Sequence, residues 1–422
     1  MKLTRPERGW VMYDWANSSY ATIVVAAVFP IYFTSVAGAA TGMGDFWWGI
    51  GTSIATGILA ISAPVLGALA DYRGYKKPLF TILSVIGVLF TLVCALFDSW
   101  QLMLVGYVIS HIGWSGAHLV YDSFLTDVTP PERMDHLSSL GYAMGYIGGS
   151  TIPFVMSIVL ITFGENFGVD TTLAVKLSLI ICALWWAVFT IPFIKDVKQR
   201  FGGEKPRTGF IRHTFAQVVS TLRSIISNKS VWLFVLAYFF YIDGVGTVIG
   251  MATSYGTVLN LDSSMMILAL MVTQLVAFPC SILFGRMSVR FGSLRMIMGA
   301  IGMYIFICVL GFVMGFGLEE NYITIQQASV IFWCLAALVG TVQGGIQAIS
   351  RSYYGKIIPP ERSGEYFGFL DIFGKFAAVL GPLLYAFTRG LTGRSSLSIL
   401  SIILLFVTAL VIMLLGRKHL HD

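Results

Sequence analysis

The sequence predicts an all-α membrane protein with twelve transmembrane helices, arranged as two six-helix bundles related by a pseudo-twofold axis. Three observations carry this. Of the 422 residues, 56% are hydrophobic and 11% are charged, with a mean hydropathy of +0.80. A soluble domain carries roughly a quarter charged residues. Apolar runs recur along the chain, and about 20 apolar residues suffice for one span. Finally, one stretch occurs twice. Residues 111–133, HIGWSGAHLVYDSFLTDVTPPER, return 229 positions later as 340–362, GTVQGGIQAISRSYYGKIIPPER.

The helices are expected near 10–36, 46–70, 78–97, 101–127, 138–163, 172–194, 230–257, 264–287, 294–316, 326–354, 364–388 and 396–416. The first follows Arg5 and Arg8. It is too long for a signal-peptide core and lacks a small-residue cleavage site, so it reads as a retained helix. The second ends in a basic loop, and the third is apolar throughout. The fourth carries His111, Ser115, His118 and Asp122, spaced 4, 3 and 4, on one face. The fifth has a small-residue face of Gly141, Gly145, Gly148 and Gly149 and a bend at Pro153, which suits close helix packing. After the sixth, Lys195 to Lys229 is polar and basic, with an amphipathic surface helix expected over 207–226. The last six helices repeat the scheme. The domains are therefore 1–194, a linker at 195–229, and 230–422.

The repeat holds across several helices. At the offset of 229, Asp14 falls on Asp243, Gly145 on Gly374 and Pro153 on Pro382. An offset of 218 places Gly67 and Gly74 on Gly285 and Gly292. The charges differ between copies: Asp122 falls on Arg351 and Asp127 on Lys356. Parallel repeats of this kind are a transporter pattern. Lys and Arg set the orientation. With the N-terminus cytoplasmic, inner loops and tails hold 22 of them and the outer side holds 3, a strong positive-inside bias. Both termini are then cytoplasmic.

Buried charges in membrane are expensive and mark function by default. Asp14, His118, Asp122, Asp243 and Arg351 are the candidates, with Asn17 and Gln347 beside them. Each has a structural alternative. Asp14 either meets solute or pairs with Arg5 or Arg8. Asp122 and Arg351 either bind solute or form an ion pair, which still serves as a gate if it exists in one conformation. His111 and His118 either titrate during transport or are packing residues. Their PPER ends place Asp122 and Arg351 toward the cytoplasmic side, so the pair reads as a gate, with His118 and Gln347 one turn deeper as solute contacts. His111, His118 and Asp122 alone do not complete a metal site. No cofactor is implied, and the five cysteines show no CxxC spacing. The sequence has no G-x-x-x-x-G-K-[ST], G-x-S-x-G or H-E-x-x-H, which argues against ATP drive and hydrolase chemistry. The partners expected are a small-molecule substrate, protons and the lipid bilayer; no nucleic acid is implied, and a monomer is expected.

The loop Gly67-Ala-Leu-Ala-Asp71-Tyr-Arg73-Gly74-Tyr-Lys76-Lys77 resembles the G-x-L-x-D-[RK]-x-G-R-[RK] signature of the major facilitator superfamily. The resemblance implies a conformational latch of Gly67, Asp71, Arg73 and Gly74, and a central cavity lined by helices one, four, seven and ten. Val289 stands where the second copy would have its aspartate, so the latch is expected to be stronger in the first half. Tyr13-Asp-Trp-Ala-Asn-Ser18, Tyr241-Ile-Asp243-Gly-Val245 and Gln343-Gly-Gly-Ile-Gln347-Ala-Ile-Ser-Arg351-Ser352 look like one subfamily. It joins fungal autophagy-related vacuolar amino-acid effluxers with bacterial relatives of unassigned substrate. That resemblance implies the fold and efflux of small solutes such as amino acids; a proton gradient is the expected drive, with Asp14, Asp122, Asp243 or His118 as carriers, and a bacterial plasma membrane the expected location. An exporter of amphipathic drugs or lipids is the alternative, since 14% of residues are aromatic. A non-transporting sensor is a third reading. An enzyme is not expected.

Overall fold

A computed structural model describes residues 2–205 and 210–420. Among these, eleven helices are long and apolar enough to cross a membrane. They are α1 (Arg5–Thr41), α2 (Gly44–Ala70), α3 (Lys76–Leu96), α5 (Pro131–Phe167), α6 (Thr171–Asp196), α8 (Lys229–Val258), α9 (Leu268–Phe291), α10 (Ser293–Glu319), α11 (Ile325–Ile357), α12 (Pro360–Thr392) and α13 (Ser395–Lys418). The twelfth is α4, Trp100–Ser123, whose 24 residues reach about 36 Å at 1.5 Å per residue. Its histidines and serines keep it out of the apolar set. The linker contributes α7, Phe210–Ser227; the expected start at 207 lies outside the described residues. Among the described residues the only β pairing is a bridge between Tyr72 and Gly203.

Several boundaries differ from expectation, each for a local reason. The first helix begins at Arg5 because Thr4 and Glu7 form a reciprocal capping box. The fourth stops at Ser123, and a short helical turn, Leu125–Val128, follows Phe124. The fifth begins at Pro131, seven residues earlier than expected, since proline suits the first turn. It is interrupted by a π-helical stretch at Gly145–Thr151, as α1 is at Ala21–Ala26. The eleventh span breaks between Ala377 and Leu380.

The chain forms two compact units. The first holds Met1–Pro130, Met144–Thr221 and Ile358–Ile372; the second holds Pro131–Ala143, Leu222–Ile357 and Phe373–Asp422. The opening part of α5 thus belongs with the later helices, and the opening part of α12 with the earlier ones.

In the first unit, small residues let backbones approach, as membrane helices require where lipid is as apolar as leucine. A Cβ on Gly113 would come within 2.6 Å of the Gly87 nitrogen, so α3 and α4 touch along their backbones. Indole donors tie the helices together. Trp10 donates to the Tyr121 carbonyl at 3.1 Å, Trp114 to Asn17 at 3.2 Å and Trp185 to Trp15 at 3.1 Å. In the second unit, Gly340 abuts the Thr273 carbonyl, with its would-be Cβ 2.7 Å away. Tyr304 stacks on Phe406 at 5.2 Å.

Candidate transport site

The Tyr13–Ser18 run forms the centre of the first unit. Tyr13 lies among Phe80, Tyr121 and Phe193, with ring centroids 4.8, 4.7 and 5.6 Å away. Trp15 and Ser18 fill the space opposite Gly145, Gly148 and Gly149 on α5, where side chains would collide with them. This is what the small-residue face is for. Asp14 is 5% exposed, and its backbone carbonyl accepts from the Ser18 hydroxyl at 2.8 Å.

Asn17, on the next turn, is buried, and its amide lies 3.0 Å from His118 Nδ1. With the Asn17 amide donating, Nδ1 is the acceptor and the ring proton sits on Nε2. His118 Nε2 faces Asp122 Oδ2 at 3.6 Å. The His118 and Asp122 side chains keep 32% and 20% exposure, unlike the buried Asn17 behind them. An oriented imidazole beside a carboxylate, open on one side, presents a ring N–H and carboxylate oxygens as hydrogen-bonding groups. His111 has a different environment. Its ring lies among Tyr107, Trp114 and Tyr20, at 5.5, 5.5 and 6.4 Å.

The second unit has its own polar groups. Asp243 Oδ2 accepts the Gly381 N–H at 2.8 Å, and Thr247 donates to Oδ1 at 3.5 Å. The break in α12 frees that amide, and the carboxylate satisfies the start of the new helix. A Cβ on Gly381 would fall on the Thr247 hydroxyl. Gln347 donates to the Gln343 carbonyl of its own helix at 3.0 Å. Arg351 is 4% exposed. Its Nε donates to Ser138 Oγ at 2.9 Å, its Nη2 to the Ser138 carbonyl at 3.1 Å, and its guanidinium lies 4.6 Å from the Tyr142 ring centre. Arg351 therefore holds the early part of α5. An apolar cavity of about 100 Å³ lies in the same unit, lined by Ile249, Tyr255, Ile307 and Phe332, with Gln274 and Gln343 as polar groups.

The loop after α2 is organised around Asp71. Its carboxylate accepts the Gly364 and Glu365 N–H groups, each at 2.8 Å, and so caps the opening helix of α12. Gly67 makes the approach possible, since a Cβ there would fall on the Gly364 carbonyl. Gly67→Ala is expected to destabilise the protein by about 1–2 kcal/mol through overpacking, read as a lower melting temperature in detergent. Arg73 and Gly74 do something else. Arg73 Nε donates to the Gly202 carbonyl at 3.0 Å, and the Gly74 N–H donates to Gln199 Oε1 at 2.9 Å. Gly74 has φ +82°, which glycine adopts without strain. Both therefore fasten the linker rather than α12.

Sequence reasoning missed Lys76, Asp127 and Asp135. Lys76 Nζ lies 2.9 Å from Asp127 Oδ2 and from Ser363 Oγ. In the second unit, Asp135 takes a comparable place. Its oxygens accept from Ser352 at 2.6 Å and Ser293 at 2.8 Å, and Lys356 lies 2.8 Å away. The available signal was the Asp127–Lys356 charge inversion in the repeat, which marks one end of each pair.

Residues 49–418 match the family model described as "Vacuole effluxer Atg22 like". The chain is 44% identical over 419 residues to the uncharacterized MFS-type transporter YxiO of Bacillus subtilis (strain 168), covering 98% of this chain and 95% of that protein. It is 28% identical over 294 residues to autophagy-related protein 22-2 of Aspergillus clavatus, covering 64% of this chain and 46% of that one. Two solved structures share the fold. The human organic anion transporter MFSD10 has a TM-score of 0.70 at 14% identity, covering 97% of this chain and 98% of its own. The Escherichia coli fucose:proton symporter FucP has 0.68 at 15%, covering 99% and 98%. The Bacillus relative is named as an MFS-type transporter, and the two structural neighbours are a transporter and a symporter rather than enzymes. With its twelve helices and intramembrane charges, the chain is an MFS-type integral membrane transporter, and it belongs to the vacuole effluxer Atg22-like family.

Proposed function

We propose that the protein is a proton-coupled secondary transporter that exports small zwitterionic solutes, amino acids foremost, by alternating access. The observation that carries this reading is the Asn17–His118–Asp122 array: a fixed imidazole beside a carboxylate, both partly exposed, with Asn17 buried behind them. His118 and Asp122 are its proton carriers, with Asp14 as a further candidate. Asp243 and Arg351, held here by the Gly381 amide and by Ser138, meet the substrate ammonium and carboxylate once the transport cycle breaks those bonds, and Gln347 adds a polar contact. The Asp71 cap, with Gly67 behind it, acts as the latch of one conformation. The Lys and Arg distribution supports cytoplasmic termini, and the bacterial relative supports a plasma-membrane location. The protein works as a monomer in this reading.

The test is counterflow of labelled amino acids in proteoliposomes, with and without a pH gradient. Asp243→Asn and Arg351→Ala are each expected to lower counterflow about tenfold or more, the loss of one desolvated charge-assisted contact. His118→Gln is expected to remove the response to the gradient. Counterflow unchanged in both Asp243→Asn and Arg351→Ala would overturn the site. The apolar cavity with Gln274 favours a second reading, export of amphipathic compounds. Counterflow of a labelled amphiphile but of no amino acid would support it.

A further inference from the structure

The linker helix α7 buries two threonines and leaves a stripe of large apolar side chains outward. Thr214, Thr221 and Ile225 are buried, while Phe215, Val219, Leu222 and Ile226 are 56%, 60%, 37% and 52% exposed. Those four are spaced 4, 3 and 4 and so form one stripe. A protein in water would not leave that stripe open at the cost of burying threonines.

The position of α7 says what covers it. Its last residue, Ser227, is followed by Asn228, whose side chain accepts the Ser230 and Val231 N–H groups and caps α8. The membrane-spanning helix α8 starts at Lys229. The end of α7 is therefore one residue from a membrane span and sits at the bilayer boundary. No Asp or Glu occurs from 210 to 227. Lys205, Arg223 and Lys229 are exposed around it. An apolar stripe on a helix that carries no acid, with Arg223 and Lys229 exposed toward its end, fits an anionic lipid interface.

The inner side of α7 leads to the Asp71 cap. The Tyr72 hydroxyl donates to Gln217 Oε1 at 2.7 Å and lies 3.2 Å from the Thr214 hydroxyl. Arg362 Nη2 donates to Thr221 Oγ1, and to Glu365 Oε2 at 2.9 Å. Tyr72 adjoins Asp71, and Arg362 lies just before the amides that Asp71 accepts. Both sides of the cap are thus fastened to one helix.

We propose that α7 lies in the headgroup region of an anionic bilayer through the Phe215–Ile226 stripe and Arg223, and that this contact steadies the Asp71 cap through Tyr72 and Arg362. The lipid contact stands whether or not the cap gates transport; only its meaning for transport rests on the proposed latch.

The test is amide hydrogen exchange of the full chain in nanodiscs of phosphatidylcholine alone and of phosphatidylcholine with one quarter phosphatidylglycerol. Exchange across 210–227 is expected to slow about tenfold with phosphatidylglycerol. Val219→Asp should abolish this slowing, and Arg223→Gln should weaken it. The Gly364 and Glu365 amides should slow in the same wild-type sample but not in Val219→Asp. Equal exchange in both lipids would overturn the anionic-surface assignment. Protection that rises with protein concentration in lipid-free detergent would overturn it in favour of a second copy of the chain. Slowing at 210–227 with none at Gly364 and Glu365 would overturn the coupling. These readouts do not depend on transport, so failure of the transport reading remains a separate result.

Discussion

Replacing Lys76 by methionine is expected to lower the unfolding free energy by about 3–5 kcal/mol, because it leaves a buried carboxylate without its counter-charge. The Lys76 and Asp127 side chains are 1% and 0% exposed. The Lys76 ammonium lies 2.9 Å from Asp127 Oδ2, donates to Ser363 Oγ at 2.9 Å, and sits 5.3 Å from the Phe124 ring centre. Without it, Oδ2 loses its cation. Oδ1 still accepts the Arg200 and Phe201 N–H groups, at 2.6 and 2.9 Å. Those two bonds explain the design of the control. Adding Asp127→Asn to Lys76→Met removes the stranded charge and keeps a carbonyl for the two amides. The double variant is therefore expected to regain part of the loss. Denaturant unfolding in detergent measures both, and the double-mutant cycle isolates the pair. A single variant no less stable than the double one would contradict the buried-charge argument.

Asp71→Ala is expected to cost about 2–4 kcal/mol, since it strands the buried Gly364 and Glu365 amides. Asp71→Asn should cost less, because its carbonyl can still accept one of them. The pH dependence separates charge from capping. Burial pushes the Asp71 carboxyl up to about 7 from 3.8, against the opposing pull of Lys76, 4.0 Å away, and of the two amides. The Glu365 carboxylate adds to the rise. Arg362 and Asp127 are the other charges nearby, paired with Glu365 and Lys76. The folded protein then binds a proton that the unfolded chain releases between about pH 4 and 7. Asp71 protonation stabilises the fold fully below about 4, and this contribution is lost as pH rises through about 7. Asp71→Asn should remove that component. A melting-temperature profile between pH 5 and 8 measures it, and identical slopes in wild type and Asp71→Asn would refute the assignment.

Much of the candidate site could be read one helix at a time. The 4, 3, 4 spacing on α4 places His118 and Asp122 together, and they do meet at 3.6 Å. Asn17 was named from its motif, but its hydrogen bond to His118 joins residues 101 apart, and no periodicity within one helix reports it. Gly67 and Asp71 were likewise named, but their partner, the start of α12, lies nearly three hundred residues on. The signature resemblance puts Arg73 and Gly74 in the same device, yet both bond to the linker, at Gly202 and Gln199. A positive φ at Gly74 turns the chain toward the linker instead. Asp135 carries no sequence signal and Lys76 reads only as part of the basic signature, since a charge beside a proline-rich or basic loop looks solvated until its neighbours are known.

The amino-acid sequence alone determined the solvent, the number of spans and the internal repeat, because these depend on residue type and period along one chain. It also determined the amphipathic character of the linker. Only the tertiary structure decided that residues 131–143 and 358–372 each join the unit formed mainly by the other half of the chain. It decided too that Asp243 satisfies a broken helix, and that α7 turns its threonines inward and its apolar stripe out. Those outcomes depend on which distant backbone amides and carbonyls need a partner, and in a membrane an unsatisfied one costs several kcal/mol. That demand is met in space, between segments the sequence leaves far apart.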